Sequence, residues 1–337
     1  MSCSRVVKIH DLGTPALIVD VTALTENLDA MAAALPGARC RPHVKAHKTT
    51  ALAREQAARG HRHFTCATPR EMVGMAAAGL GEDLLLANEV VDSDRLRRLA
   101  DLEGARVTVA VDSTETIAAA AAAGIREVLV DVDVGCVRCG CRPEDAGLLA
   151  DGARQRGLEV RGVMGYEGHV MGVEDRAARA DQTEQAMQLL ARAHGDVGGK
   201  IMSAGGTCNF DINSWATEIQ AGTYALMDTA YAYADLPFRP ALSLRATVIS
   251  VSDGWAVADA GLKSLALDHG NPTVENGTVW FCSDEHVTFG PDRPVRVGDA
   301  VSVLPAHIDP TVAKHERMHL VDGDTVVDSW EVDLRGW

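Results

Sequence analysis

The stretch "RVTVAVDSTETIAAAAAAGIREVLVDVDV", residues 106–134, decides the fold. A β-branched run, "RVTVAVD", gives way to a Ser-led alanine run and then, past Gly124, to a second β-branched run, "REVLVDVDV". Ser113 stands where a helix N-cap accepts an orphan backbone N–H, and Gly124 where a helix ends in left-handed backbone. Strand, helix and strand of these lengths predict a βαβ unit with parallel strands.

The same alternation extends in both directions. "PALIVD", "ARCRPHV", "HRHFTCAT" and "DLLLAN" lie before residue 106, and "EVRGVMGYEG" and "KIMSAGG" lie after residue 134. Each of the first seven strand signals is followed by a segment of helical length. Thr68-Pro69 marks another helix start, and Gly60, Gly79 and Gly157 mark helix ends. Eight strand signals, from "PALIVD" to "KIMSAGG", predict an α/β fold with a (β/α)8 TIM-type barrel rather than an open doubly wound sheet. Beyond "LPFRPALS" the texture changes to short runs such as "LRATVISVS", "GWAVADAG" and "GTVWFC" between Gly, Asp, Asn and Pro turns. That texture predicts an all-β C-terminal domain. The expected boundaries are 13–237 for the barrel, and 1–12 plus 238–337 for the β-strand domain.

Composition narrows the partners. The chain has 337 residues, 47% of them apolar, enough to bury two ordinary cores without staples. A formal charge of −15 argues against nucleic acid or an anionic membrane as the main partner. "MSCSRVVKIHDLG" lacks the apolar core of a signal peptide, and no run approaches the roughly 18 apolar residues of a membrane span. Eight cysteines in such a chain read as thiols, so a cytoplasmic protein is expected.

Against that acidic background, "RPHVKAHK", residues 41–48, concentrates Arg41, His43, Lys45, His47 and Lys48 at the end of a strand. Barrel enzymes place their sites at the C-terminal ends of strands. Lys45, Asn88, Glu89, Asp112, Asp133, Arg138, Tyr166, His169 and the loop "SAGGTCNF" all fall there. One at a time these are caps and loop residues; together they suggest a site. The glycines of the loop allow close approach of oxygen atoms, and Thr207 adds a hydroxyl. A lysine on the same rim as a phosphate loop suggests pyridoxal phosphate.

"LGTPALIVD", "RPHVKAHKT", "VDVGCVRCG", "GYEGH", "SAGGT", "EIQAGTYALMD", "DAGLKSLALDHG", "DEH" and "LPAHIDPTV" occur in this order across nearly the whole chain. The set resembles the fold-type III pyridoxal-phosphate enzymes with an alanine-racemase-like barrel. Within them it is most similar to the D-threonine aldolase and D-serine dehydratase group. The resemblance implies that Lys45 is the Schiff-base lysine, with His43, His47 and Lys48 as its electropositive surroundings. It implies that Arg138 meets the cofactor's phenolic oxygen and Tyr166 its ring nitrogen. Gly205, Gly206 and Thr207 would hold the phosphate, with Tyr224 a further candidate, and His169 would take part in catalysis.

"HID", residues 307–309, is the second informative stretch. His307 and Asp309, two apart on a strand, would share a face and reach one ion. As a bare pair this signal is weak; within the resemblance it falls where these enzymes bind a divalent metal. An oxygen ligand favours manganese or magnesium ahead of zinc, and the resemblance implies aldolase ahead of dehydratase, since the dehydratases typically show His-x-Cys here and the D-threonine aldolases His-x-Asp. The expected function is therefore a lyase that cleaves D-β-hydroxy-α-amino acids to glycine and an aldehyde. D-serine or D-3-hydroxyaspartate dehydration, racemisation and non-catalytic cofactor binding are the alternatives. The resemblance also implies a homodimer acting on a small-molecule amino-acid substrate. "GCVRCGC" offers three thiols without a fourth ligand and is read as incidental; "KHERMH" is read as solvated surface.

Overall fold

The computed structural model of the protein describes residues 6–337. The chain divides into two compact units. One comprises residues 31–45, 52–222 and 334–337; the other comprises residues up to 30, 46–51 and 223–333.

The first unit is the barrel. Seven parallel strands follow one another in chain order: His63–Cys66, Asp83–Leu86, Val107–Val111, Glu127–Asp131, Glu159–Met164, Ile201–Ala204 and Glu218–Ile219. The ring closes through the extended segment at residues 40–43, where Cys40 bridges Ile219 and His43 bridges Thr65, both in parallel. The helix signals hold at the expected places. Thr68 accepts from the Glu71 amide at 3.2 Å, with Pro69 in the first turn, and Ser113 accepts from the Thr116 amide at 3.3 Å. Gly60, Gly79, Gly124 and Gly157 all take positive φ.

Period-two alternation sorts the barrel interior into layers. At the N-terminal ends of the strands lies an ionic layer. Arg41 donates to both oxygens of Glu218, at 2.7 and 3.0 Å, and to Asp83 at 3.0 Å. Arg161 donates to both oxygens of Asp83, at 3.0 and 2.6 Å. Two residues further along the strands, Leu85, Ala110, Leu129 and Met164 form an apolar layer with Ala87 and Ile201 packed against it. The next inward positions, near Asp112 and Asp131, reach the rim.

The second unit holds a nine-stranded sheet. Its order is Trp255–Ala258, Val287–Pro291, Gly277–Cys282, Thr273–Val274, Ala300–Leu304, Leu242–Ser252, Ala16–Asp20, Arg317–Asp322 and Thr325–Glu331. Trp255–Ala258 also pairs with Leu242–Ser252, which closes the first six into an antiparallel barrel. "PALIVD" therefore departs from its expected place. Ala16–Asp20 pairs antiparallel with Leu242–Ser252 and parallel with Arg317–Asp322, and Ala16 and Ile18 pack on Val321. A strand buried on both faces reads alike in either sheet, because only its partners differ. The eighth barrel position belongs to the segment around residues 40–43, and the two-residue strand Glu218–Ile219 is too short to be read from its pattern. Of the first dozen residues, Lys8 bridges Thr325; the expectation for residues 1–5 lies outside the described residues.

Candidate active site

Each unit carries one group of the expected site residues. In the barrel unit, Lys45 lies in the 3-10 turn Val44–Ala46, directly after the segment that closes the ring. Tyr166 follows the strand Glu159–Met164, and the Arg138 guanidinium lies 5.3 Å from the centre of its ring. Burial pushes the Tyr166 hydroxyl above its ordinary value, against the opposing pull of Lys45 and Arg138. A phenol, an amine and a guanidinium thus act on one another at the rim. Gly168 makes room for this arrangement: a Cβ there would lie 2.6 Å from Tyr166 Cε1 and 2.8 Å from Cys136 Sγ. His169 is exposed on the 3-10 turn Gly168–Gly172, its ring against Gly135.

The loop after Ile201–Ala204 is organised from below by a residue the sequence reading passed over. Glu167 is fully buried and accepts from the Gly205 amide at 3.1 Å, Asn209 Nδ2 at 2.8 Å and Asn213 Nδ2 at 3.0 Å. Asn209 Oδ1 in turn accepts from the Gly206 amide at 3.0 Å. Both glycine amides are therefore committed to internal acceptors. What the glycines give the loop is shape: Gly205 takes φ +78°, and a Cβ there would approach Ile219 Cδ1 to 3.0 Å. Thr207 is the expected loop residue with a side chain to offer. Position 167 was visible in "GYEGH" only as a spacer between two chemically louder residues.

Across the rim, Asp131 is buried beside Glu89, and burial together with that second carboxyl pushes it well above the usual range. Arg138 pulls the other way without outweighing them. Burial also pushes the Cys139 and Cys141 thiols up to about 12.

The second unit holds the expected metal pair, but not on a strand. His307 caps the short helix Ile308–Ala313, and Asp309 lies in its first turn. Pro310, tolerated in a first turn, lets the helix begin directly after the extended residue His307. The two side chains still converge, with His307 Nε2 3.9 Å from Asp309 Oδ2. Three further residues surround them. Asp268 Oδ2 lies 2.6 Å from His307 Nδ1, and the His269 ring stacks on His307 at 3.9 Å and 3°. Asp228 is 3% exposed; its Oδ2 accepts from the Ile308 amide at 3.1 Å, and its Oδ1 is buried without a hydrogen bond. Burial, with Asp309 adding to it, pushes Asp228 up to about 7. Tyr224 belongs to this same unit, fully buried with its ring 5.6 Å from Phe238. His315 and His319 are not the solvated pair expected. His315 faces the Ser264 carbonyl at 2.8 Å and His319 faces the Ser329 hydroxyl at 2.8 Å, because one follows a helix and the other sits in a strand.

Both groups fit the cofactors that the sequence suggested. Nitrogen and oxygen donors 3.9 Å apart can each lie about 2.1 Å from one divalent ion. A buried carboxylate oxygen without a hydrogen bond beside Asp309 is the kind of atom that a cation satisfies. At the barrel rim, the amine, phenol and guanidinium match the carbonyl, ring and phenolate of pyridoxal phosphate. No helix among the described residues is long and apolar enough to cross a membrane.

Comparison with known proteins points the same way. Residues 19–229 match the family described as alanine racemase, N-terminal domain, and residues 241–321 match the putative serine dehydratase domain. The chain is 34% identical to a D-threonine aldolase of Arthrobacter sp., over 96% of this chain and 93% of that protein. It is 32% identical to a 3-hydroxy-D-aspartate aldolase of Paracoccus denitrificans, over 97% and 93%. Its structure superposes on the crystal structure of D-threonine aldolase from Filomicrobium marinum with a TM-score of 0.93, at 32% identity, covering 99% of both chains.

Proposed function

The chain belongs to the alanine racemase N-terminal domain family of fold-type III pyridoxal-phosphate enzymes, and from that premise we propose that it is an aldolase of D-β-hydroxy-α-amino acids. It would cleave D-threonine-type substrates to glycine and an aldehyde, using pyridoxal phosphate and a divalent cation, manganese or magnesium ahead of zinc. The observation that carries the reading is the His307–Asp309 pair, an imidazole nitrogen and a hard carboxylate oxygen 3.9 Å apart. Bound pyridoxal phosphate supplies an electron sink for charge developing at Cα, and a bound cation supplies a Lewis acid.

The chain's own residues supply the rest. Lys45 is the amine that would hold the cofactor's carbonyl carbon, and its position after the closing strand fixes it at the rim. Arg138 and Tyr166 would hold the two sides of the ring, with Gly205, Gly206 and Thr207 shaping the phosphate loop on the Glu167 brace. Tyr224 remains the further phosphate candidate. His307 and Asp309 would hold the cation, and the exposed His169 imidazole would take a proton from the substrate. The same reading expects a cytoplasmic homodimer, checked by sedimentation equilibrium.

The test incubates purified protein, pyridoxal phosphate and manganese with D-threonine, D-phenylserine, D-3-hydroxyaspartate and D-serine. Glycine plus aldehyde, lost on chelation and in Asp309→Ala, supports the proposal. A 2-oxo acid plus ammonia moves the assignment to a dehydratase, and the opposite enantiomer moves it to a racemase. A Schiff-base absorbance that vanishes in Lys45→Ala, with no turnover of any substrate, leaves a cofactor-binding protein.

A further inference from the structure

The proposed cation site rests on an imidazole whose two nitrogens face different partners. His307 Nδ1 lies 2.6 Å from Asp268 Oδ2, while Nε2 points to the side where Asp309 Oδ2 lies 3.9 Å away. A carboxylate only accepts, so at that distance Nδ1 must carry the proton, and the lone pair is left on Nε2. Asp268 is itself held on a segment clamped to the helix that follows His307. The Thr311 hydroxyl donates to the His307 carbonyl at 2.7 Å and accepts from the Ala266 amide at 3.0 Å. One turn further along, His315 Nε2 meets the Ser264 carbonyl at 2.8 Å. Thr311 is fully buried, so the two ends of the arrangement are tied by a contact that water does not reach.

We infer that Asp268 is the positioning residue of this site, fixing His307 so that Nε2 together with Asp309 receives the cation. The inference rests on the metal reading proposed above and adds to it the residue that makes the imidazole a ligand. An imidazole without such a partner divides its population between two tautomers and rotates, and loss of the outer carboxylate typically weakens metal binding about 10–100-fold. His269 plays a lesser part: its stacked ring limits rotation of His307 without touching either nitrogen's proton.

The experiment is a manganese titration followed by electron paramagnetic resonance. It uses full-length protein carrying its pyridoxal phosphate, without substrate, and circular dichroism reports that each variant is folded. Asp268→Ala should weaken manganese binding about 10–100-fold. Asp268→Asn, which keeps an oxygen that can accept from Nδ1, should lose markedly less. His307→Ala and Asp309→Ala should abolish binding, and His269→Ala should change it by no more than a few fold. A folded Asp268→Ala protein that binds manganese like the parent, while His307→Ala and Asp309→Ala do not, overturns the inference and leaves the metal reading standing. Equal, complete loss in Asp268→Ala and His269→Ala also overturns it, because both residues would then be ligands. Retained binding in His307→Ala and Asp309→Ala sinks the metal reading itself, and the inference with it.

Discussion

Arg41→Met tests whether the ionic layer at the base of the barrel carries stability rather than chemistry. Arg41 is 1% exposed and sits where the closing segment meets the two strands that complete the ring. It makes a two-pronged contact with Glu218 and a further one with Asp83, and its Nη1 also reaches the Asp83 carbonyl at 3.1 Å. Methionine keeps the volume and removes every donor. Asp83 then still has Arg161 on both oxygens, whereas Glu218, 5% exposed, loses its one side-chain partner among the described residues. Stranding a buried charge in this way costs about 3–5 kcal/mol. A barrel of this size loses roughly 2–4 °C of melting temperature per kcal/mol, so the expected drop is roughly 10 °C.

The assay is a circular-dichroism melt at neutral pH, with urea unfolding as an independent measure. Adding Glu218→Gln to Arg41→Met should return most of the loss, because the two changes share one contact and cannot be additive. Arg41→Lys should fall between parent and Arg41→Met, since an ammonium cannot span both Glu218 oxygens and Asp83. A melting point within about 2 °C of the parent for Arg41→Met, or no recovery on adding Glu218→Gln, would refute the reasoning.

Three further outcomes are expected. Asp83 is partly desolvated, but Arg161 and Arg41 outweigh that and hold its carboxyl down at about 2, below its ordinary 3.8. Its contribution is therefore present above pH about 4 and lost as the pH falls towards 2, roughly 2 kcal/mol in all; Asp83→Asn should flatten the acid limb of the stability curve. Glu167→Gln keeps an oxygen for either the Gly205 amide or the Asn209 and Asn213 pair and turns an amide N–H2 towards the other, where only donors wait, so pyridoxal phosphate should bind at least tenfold more weakly while the Lys45 absorbance at saturation is kept; unchanged affinity in a spectrophotometric titration would sink the brace. Manganese at about a hundred times its dissociation constant should raise the parent's stability by about 2.7 kcal/mol and leave Asp309→Ala unmoved in the same melt.

The parts of this protein that a reader of the sequence could see are those encoded within a dozen residues. The cap at Thr68-Pro69, the stop at Gly124 and the alternation of "RVTVAVD" all depend on near neighbours, and all stand where they were expected. Assignments that depended on distant partners fared differently. "PALIVD" has the same burial as a barrel strand, yet its neighbours lie more than two hundred residues away in Leu242–Ser252 and Arg317–Asp322. His307 and Asp309 were paired for the wrong reason: a strand would have put them on one face, but a cap followed by a first helical turn brings them together instead. Asp268 and Asp228 stand inside "DAGLKSLALDHG" and "EIQAGTYALMD", but nothing local ties them to that pair, because each meets it from a segment tens of residues earlier in the chain. Glu167 was masked by its own motif, where Tyr166 and His169 drew the chemical reading.

"RPHVKAHK" shows how a single basic cluster in sequence becomes two devices in the fold. An extended chain rises roughly 3.3 Å per residue, so four residues are enough to pass from one layer of a barrel to another. Arg41 enters at the base, beside Asp83 and Glu218, where a guanidinium closes the ring and has no access to a ligand. His43 marks the last bridge, to Thr65, and Lys45 emerges after it in a 3-10 turn, half-exposed at the rim and close enough to act on Tyr166. The charge that stands as one cluster in the sequence is thus divided between the base of the barrel and its rim. A substitution at position 41 should change the melting temperature, and one at position 45 the chemistry. The acidic chain concentrates cations here because the buried carboxylates of Asp83 and Glu218 need a counter-charge at one end of this segment, and the proposed reaction needs an amine at the other.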